Sequence, residues 1–484
     1  MPASISKHAF LAGFVCRTRG WLEHHAAATS VSAGDEWRFY FGNEIGQLAR
    51  STLGSGLLLP RTPTEHAVAR SLEALQDPGS TLLFEASFTW DAFVARADAL
   101  RRHADGWDLI EVKSGKSPDG EPPKDEYIDD IAFTAFVAKS SGLAIARTIL
   151  MLVNRDYRLD GSAPMFVELD VTTHALARAD QFARASASIA AAASASEKPT
   201  ASLVFECKDC PHFATECIGA GIDDHIFVLP RLSETRFNEL RKYERIANLP
   251  IDTKLTDPQK RIAGVCRAGQ PLIEPAGLTI LHDVIWPAHY LDFEAVMPPL
   301  PWFPLTAPYE ATPFQYALDV CGDLSEEPIH FEYLAAIEGD WRRELIEHLL
   351  QQLGSTGSIV VYSSYEKTRL NALAVLFPDL KPRIDAVVAR LFDLERVFKH
   401  GYCHPGFGGR TSIKEVLPVM VNGLSYASLD IGNGDDAMAI FALMRVGKYP
   451  PETHAKHCEN LLKYCGLDTR AMVQLHRAVV QLIN

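Results

Sequence analysis

The sequence predicts an α/β fold built as two successive units. Two observations carry this. Strand-length apolar runs alternate with helical patterns in two separate stretches, residues 1–225 and 277–484, and a charged, proline-punctuated segment joins them. At 484 residues the chain also exceeds what one hydrophobic core usually serves, since domains typically run to about 100–200 residues.

In the first stretch a helical start leads to strand-like Leu82 to Phe88, Ala95 to Leu100 and Trp107 to Val112, and then to helices from Asp125 onward. Strands interrupted by helices imply a mixed or parallel sheet. Gln181 to Lys198 is rich in Ala and Ser without Gly or Pro, which predicts a helix ended by Pro199 and not a flexible linker. Residues 226–276, with Pro230, Pro250 and Pro258, read as a helical connector. The second stretch starts at Ile280, with strands expected around Tyr290, Phe314 to Val320, His330 to Leu334 and Ser358 to Tyr362. Helices are expected over Trp341 to Leu353 and Tyr365 to Leu376.

Composition narrows the function classes. Hydrophobic residues make up 47% of the chain and the net charge is -14, so a broadly cationic surface is excluded and any nucleic-acid contact must come from local basic patches. Two such clusters are Arg101, Arg102, Lys113 and Lys116, and Arg241, Lys242 and Arg245. Ala9 to Cys16 is apolar and ends in cysteine, but Phe14 and Val15 are bulky where a lipoprotein signal needs small residues. No run approaches the roughly 20 apolar residues of a membrane span, and a cytoplasmic protein with no membrane partner is expected. The nine cysteines, an odd number, suit thiolate metal chemistry in a reducing compartment better than a disulfide framework.

Cys207, Cys210 and Cys217 form a C-x2-C-x6-C run, and Cys16 is the only other cysteine in the first half of the chain. Three thiolates in one short loop with a distant fourth read as a metal clamp, for iron-sulfur or for Zn2+ with His212 as a substitute ligand. Inside the clamp lie Asp98 and Glu111-Val112-Lys113. Residues i and i+2 of a strand share a face, so Glu111 and Lys113 can point with Asp98 into one cleft. Phosphodiester hydrolysis needs carboxylates to hold divalent cations, together with a cationic group beside them.

With Gly42-Asn43-Glu44-Ile45-Gly46, Glu85, Arg96-Ala97-Asp98, Trp107 to Ser114 and the cysteines, this half resembles the PD-(D/E)XK superfamily. The likeness is to RecB-like nucleases and to CRISPR adaptation exonucleases with a four-cysteine 4Fe-4S cluster. The resemblance implies a restriction-endonuclease-like fold, Asp98 and Glu111 as Mg2+ or Mn2+ ligands, Lys113 as the catalytic lysine, Glu44 as the first-helix acidic residue, and Cys16, Cys207, Cys210 and Cys217 as cluster ligands. Where relatives carry Gln and then Tyr on the next helix, this chain has Phe133, Thr134 and Phe136.

In the second half Tyr290-Leu291-Asp292-Phe293-Glu294 places two carboxylates on one strand face, and Tyr464-Cys465-Gly466-Leu467-Asp468 opens a helix expected to run to Leu475. These resemble the DEDD superfamily of RNase H-like 3'-5' exonucleases, and Lys463 stands where the histidine subclass has His, which selects the tyrosine subclass. The resemblance implies that Asp292, Glu294 and Asp468 bind two Mg2+ or Mn2+ ions and that Tyr464 orients the attacking water. Glu366, in Tyr362-Ser363-Ser364-Tyr365-Glu366, stands for the family's third acidic residue, with Asp393 as a substitute or outer ligand. Together with Pro405 to Val419 and Asn433-Gly434-Asp435, the whole pattern is similar to a bacterial family that fuses a RecB-like domain to this exonuclease-like domain. His400, Cys403 and His404 read as a glycine-flanked loop, and Cys266, Cys321, Cys458 and Cys465 as packing residues.

The expectation is a two-domain, metal-dependent DNA exonuclease acting on single strands or frayed ends, in repair or defence. Two other classes stay open: a nucleic-acid-binding module with one or both sites degenerate, and an RNA-processing nuclease.

Overall fold

The computed structural model describes residues 4–26 and 31–482. The protein is mixed α/β and divides into two compact units, one of Met1–Val31, Asp35–His212 and Pro298–Glu310, the other of Ser32–Gly34, Phe213–Met297 and Ala311–Asn484. The division falls at His212 instead of near residue 225, and the segment 226–276 lies in the second unit.

Unit 1 is organised by helices α1 (Lys7–Val15), α2 (Arg17–His25), α3 (Ala33–Leu53), α4 (Thr64–Gln76), α5 (Asp125–Ser140) and α6 (Thr172–Ala193). Its strands are β1 (Leu57–Leu58), β2 (Leu82–Trp90), β3 (Phe93–His103), β4 (Gly106–Lys116), β5 (Ile145–Val153) and β6 (Phe166–Asp170). They form one sheet in the order β1-β2-β3-β4-β5-β6. The β2-β3-β4 meander is antiparallel, and β5 runs parallel to β4, because the chain crosses over through α5 and returns in the same direction. The run Ile131 to Ala138 is buried throughout, so α5 is central and not a surface helix. Phe10 of α1 is fully buried, with ring centroids 5.1 Å from Phe93, 5.0 Å from Phe133, 5.8 Å from Phe136 and 5.3 Å from Phe182. This knot fixes α1 on α5, α6 and β3.

The Ala/Ser-rich helix starts earlier than its composition suggests, at Thr172, and stops at Ala193. Pro199 does not end it; its carbonyl accepts from Thr18 Oγ1.

Unit 2 contains helices α7 (Phe213–Glu216), α8 (Glu234–Leu240), α9 (Asp257–Ala268), α10 (Pro275–Leu278), α11 (Arg342–Gln352), α12 (Tyr365–Leu376), α13 (Lys381–Val388), α14 (Glu395–His400), α15 (Ile413–Met420), α16 (Gly434–Arg445) and α17 (Pro451–Gln481). Its strands are β7 (Leu272–Ile273), β8 (Ala288–Val296), β9 (Thr312–Cys321), β10 (Ile329–Leu334), β11 (Ile359–Val361), β12 (Leu391–Asp393) and β13 (Tyr402–Cys403). The main sheet has the order β10-β9-β8-β11-β12, antiparallel across β10, β9 and β8 and parallel across β8, β11 and β12. The loop cysteine Cys403 is a buried strand residue paired through β13 with β7. Tyr464 does not open a helix: α17 begins at Pro451, so Tyr464 and Asp468 sit in its middle, one turn apart on one face.

Candidate functional site

In unit 1, Asp98 on β3 and Glu111 and Lys113 on β4 meet at the centre of the meander. Asp98 Oδ2 accepts the Val112 N–H at 2.7 Å. Glu111 Oε1 is 3.0 Å from Lys113 Nζ and 3.3 Å from Lys7 Nζ. Asp130 of α5 contacts Lys113 and lies 2.9 Å from Lys7 Nζ, so two lysines and two carboxylates alternate around a closed ring. Glu111 Oε2 is buried with no hydrogen-bond partner among the described residues. Burial raises the pKa of Glu111, but Lys7 and Lys113 outweigh it and hold the carboxyl below its ordinary range. No cation among the described residues lies at hydrogen-bond distance from Asp98; burial, and then the Glu111 charge, push it up to about 7. Glu111, ionised and with one oxygen left over, and Asp98, once it has shed its proton, form a pair of oxygen donors of the kind a hard cation takes.

A cavity of about 480 Å³ opens beside these groups, lined among others by Gly42, Asn43, Arg50, Arg61, Glu85, Asp98 and Lys113. Glu44 stands on the same turn of α3 but is not among the lining residues. Glu85 is, with its carboxylate 3.3 Å from Arg50 and 2.6 Å from Arg61. Phe133, Thr134 and Phe136 are core residues, and the polar group of α5 that reaches the site is Asp130, one turn earlier. Sequence reasoning missed Asp130 and Lys7. Asp130 had only a weak signal, being one of four acidic residues in the first six positions of α5; Lys7 had none, being 104 residues from Glu111. Of the basic clusters, Arg101 is engaged by Glu168 and Asp108, Arg102 stacks on Trp107, and Arg245 pairs with Asp224 at 2.6 Å.

None of the nine cysteines is joined in a disulfide. Cys16 forms the corner between α1 and α2, which Gly13 and Gly20 allow to cross closely: a Cβ on Gly20 would lie 2.4 Å from the Gly13 Cα. Helix α2 is tied to the approach to Cys207 by Trp21 Nε1 donating to the Ala195 carbonyl at 2.8 Å and Thr18 Oγ1 donating to that of Pro199 at 3.1 Å. Cys207 is buried and its Sγ accepts the Val204 N–H at 3.5 Å. His212 faces Glu23 at 3.3 Å. Cys210 follows the short 3-10 turn carrying Cys207, and Cys217 falls within unit 2.

In unit 2, Asp292 and Glu294 project from one face of β8, and α17 brings Asp468 to them. Ligand oxygens of the three lie within 4.8 Å of one another. Glu366, at the first turn of α12, is 2% exposed and its Oε2 is buried without a hydrogen-bond partner among the described residues. The turn before it is strained: Ser363 has φ 101 and donates its N–H to Asp393 Oδ1 at 3.0 Å. Asp393 also accepts the Glu395 N–H at 3.0 Å, so it shapes the loop that presents Glu366. Burial is the largest influence on all four carboxyls. With Asp468 and Glu294 as further negative neighbours it raises Asp292 well above its ordinary value, and with Asp468 it does the same for Glu294. Glu366 rises to about 8, and Asp468, relieved by Tyr426 and Lys414, only to about 6.

The surrounding polar groups were not legible in the sequence. Tyr426 donates its hydroxyl to Asp468 Oδ1. Lys414 Nζ donates to the Tyr464 hydroxyl at 3.0 Å. Cys465 is buried with Sγ 3.5 Å from Asp292 Oδ2. A Cβ on Gly434 would meet Glu294 Oε2 at 3.6 Å and the Tyr464 hydroxyl at 3.9 Å, so both functional groups converge at the head of α16. Crowded carboxylates with one nearby lysine carry uncompensated negative charge once ionised, a charge that bound divalent cations would neutralise.

Residues 289–412 match a family described as a domain of unknown function (DUF2779), a span that contains Asp292, Glu294, Glu366 and Asp393 but not Tyr464 or Asp468. Over 155 residues the chain is 27% identical to a Mycoplasma pneumoniae protein described as an uncharacterized protein MG366 homolog, a match covering 29% of this chain and 23% of that relative. The chain thus spans under a quarter of the length of the curated relative it matches.

Proposed function

We propose that the chain is a metal-dependent phosphodiester hydrolase acting on nucleic-acid ends, with a PD-(D/E)XK-type centre in unit 1 and an RNase H-like, DEDD-type exonuclease centre in unit 2. The observation that carries the reading is the convergence of Asp292, Glu294 and Asp468 within 4.8 Å, with Glu366 Oε2, unpartnered among the described residues, presented from α12. Asp292, Glu294, Glu366 and Asp468 would hold Mg2+ or Mn2+ in unit 2, and Asp98 and Glu111 in unit 1. When bound, such ions polarise the phosphoryl group and lower the pKa of water. Tyr464, steadied by Lys414, would orient the attacking water, and Lys113 would stabilise the negative charge on the attacked phosphoryl group as the sugar oxygen leaves. The strand order of unit 2 and the β2-β3-β4-α5-β5 arrangement of unit 1 support the two fold assignments.

The 4Fe-4S assignment rests on the sequence spacing of Cys16, Cys207, Cys210 and Cys217. An N–H group on the Cys207 sulfur is the kind of outer contact that suits a thiolate ligand. Anaerobically purified protein should carry iron and sulfide in equal amounts; stoichiometric zinc without sulfide overturns the assignment.

End-labelled single-stranded DNA and RNA, incubated with the full chain in Mg2+, Mn2+ or EDTA, test the activity and separate DNA from RNA. Metal-dependent shortening that is lost in Asp292→Asn supports the exonuclease reading. Tight binding without cleavage by either centre would replace it with the binding-module reading.

A further inference from the structure

We infer that Arg50 and Arg61 form a phosphate-binding subsite in unit 1 that captures the terminal phosphomonoester of a nucleic-acid strand. The inference deepens the proposed reading of unit 1 and rests on it. The subsite belongs to the cavity of about 480 Å³ whose wall also carries Asp98 and Lys113. That volume suits a nucleotide-sized ligand and not a folded partner, since small-molecule pockets occupy about 300–1,000 Å³.

Arg50 comes from α3 and Arg61 from the segment after β1, and both direct a guanidinium nitrogen to the same atom, Glu85 Oε1, at 3.3 and 2.6 Å. The Glu85 side chain is 5% exposed, whereas those of Arg50 and Arg61 are 27% and 54% exposed. The carboxylate therefore lies beneath the two cations, which face the cavity. One carboxylate balances one of the two guanidinium charges, and each guanidinium carries five N–H donors in a fork that matches phosphate oxygens. A second tether holds the loop: Arg96 Nη2 donates to the Arg61 carbonyl at 3.0 Å.

Glu85 is also strained. It sits in the middle of β2 with φ 63, a left-handed conformation costly for a residue with a Cβ. The flanking pairs Phe84↔Ala99 and Ala86↔Ala97 hold the strand in register around it. The strained residue is the one that holds both arginines, next to the carboxylate that lines the same cavity, Asp98. A terminal phosphomonoester carries about -1.5 to -2 charge at neutral pH, against -1 for an internal phosphodiester, so a pair of arginines discriminates in favour of a strand end.

The test is binding of the full chain, in EDTA, to a fluorescent single-stranded oligonucleotide bearing a 5'-phosphate, a 3'-phosphate or hydroxyl at both ends. One phosphorylated end should bind at least about tenfold tighter than the hydroxyl form. Arg50→Ala should erase the difference, and Arg61→Lys, which keeps the charge on Glu85 but loses the fork, should reduce it severalfold at an unchanged melting temperature. A phosphate preference in a chain that never cleaves would uphold the subsite while removing the nuclease reading. Equal affinity for phosphorylated and hydroxyl ends, or a preference that survives both arginine substitutions, overturns the subsite.

Discussion

Lys7 Nζ lies 2.9 Å from Asp130 Oδ1 and 3.3 Å from Glu111 Oε1, so a residue of the first helix is built into the centre that β3 and β4 form. The ring through Lys113 and Asp130 occupies Glu111 Oε1 and leaves Oε2 for another partner. Outer groups that orient a ligand typically change activity or metal affinity about 10- to 100-fold when removed. We expect Lys7→Met and Asp130→Asn to lower the unit 1 cleavage rate by that range with KM little changed, and Lys7→Arg to recover most of it. Wild-type turnover in Lys7→Met, at an unchanged melting temperature, would reduce the ring to a surface ion pair.

The carboxylates of unit 2 make stability depend on pH with a definite sign. Acids whose native pKa is raised bind more protons in the folded than in the unfolded protein, so stability falls as pH rises from the unfolded values near 4 through the native ones. With Asp468 at about 6 and Glu366 at about 8, the window is about pH 4 to 8. Asp98 at about 7 adds the same sign. In EDTA the melting temperature should decrease across this range, and Mn2+ should reverse the loss at the alkaline end. Because the ligands must shed protons, Mn2+ affinity measured by calorimetry should climb steeply between pH 6 and 8. A melting temperature that rises with pH in EDTA would contradict the charge crowding.

Asp292 and Tyr464 separate ligand from helper. Replacing Asp292 with Asn keeps shape and volume but removes one of the buried, mutually repelling charges. The metal-free variant should therefore melt higher than wild type at pH 8 while losing Mn2+ stoichiometry and nearly all exonuclease activity. Tyr464→Phe removes only the hydroxyl that Lys414 reaches, and should slow turnover by about 10- to 100-fold with metal binding intact. Loss of stability in metal-free Asp292→Asn would mean that the carboxylate is a structural anchor.

Much of this arrangement was readable because it is local. Strand-length apolar runs marked β2, β3, β4, β8 and β9, and the i, i+2 spacing put Glu111 with Lys113 and Asp292 with Glu294. What failed to show was set by distant packing. Tyr426 meets Asp468 from a 3-10 turn 42 residues away, and Lys414 lies on a short amphipathic helix whose pattern says only that one face is buried. Helix α17 extends well beyond the span expected between Tyr464 and Leu475, because its buried face runs on both sides, from Leu461 to Val479. Phe133 and Phe136 looked like lost functional residues, whereas they pack on Phe10 and so fix the helix that carries Lys7.

One substitution should have opposite effects at two glycines. Gly264 lies exposed in α9, and an alanine methyl there would meet no heavy atom within 4 Å, so Gly264→Ala should stabilise unit 2 by about 0.5–1 kcal/mol through helix propensity. Gly20 sits where α2 crosses α1, and an added Cβ would press on the Gly13 Cα at 2.4 Å and the Gly13 nitrogen at 2.8 Å. Backbone cannot swing aside as a flexible side chain can, so Gly20→Ala must separate the helices, at a cost of about 1–3 kcal/mol. The corner they form holds Cys16, and α1 carries Lys7 at its other end. Gly20→Ala should therefore lower the melting temperature, deplete iron and sulfide, and reduce unit 1 cleavage together, while unit 2 exonuclease activity persists. Full iron content with unit 1 cleavage at the wild-type rate would show that the close crossing of α1 and α2 is not what positions Cys16 and Lys7.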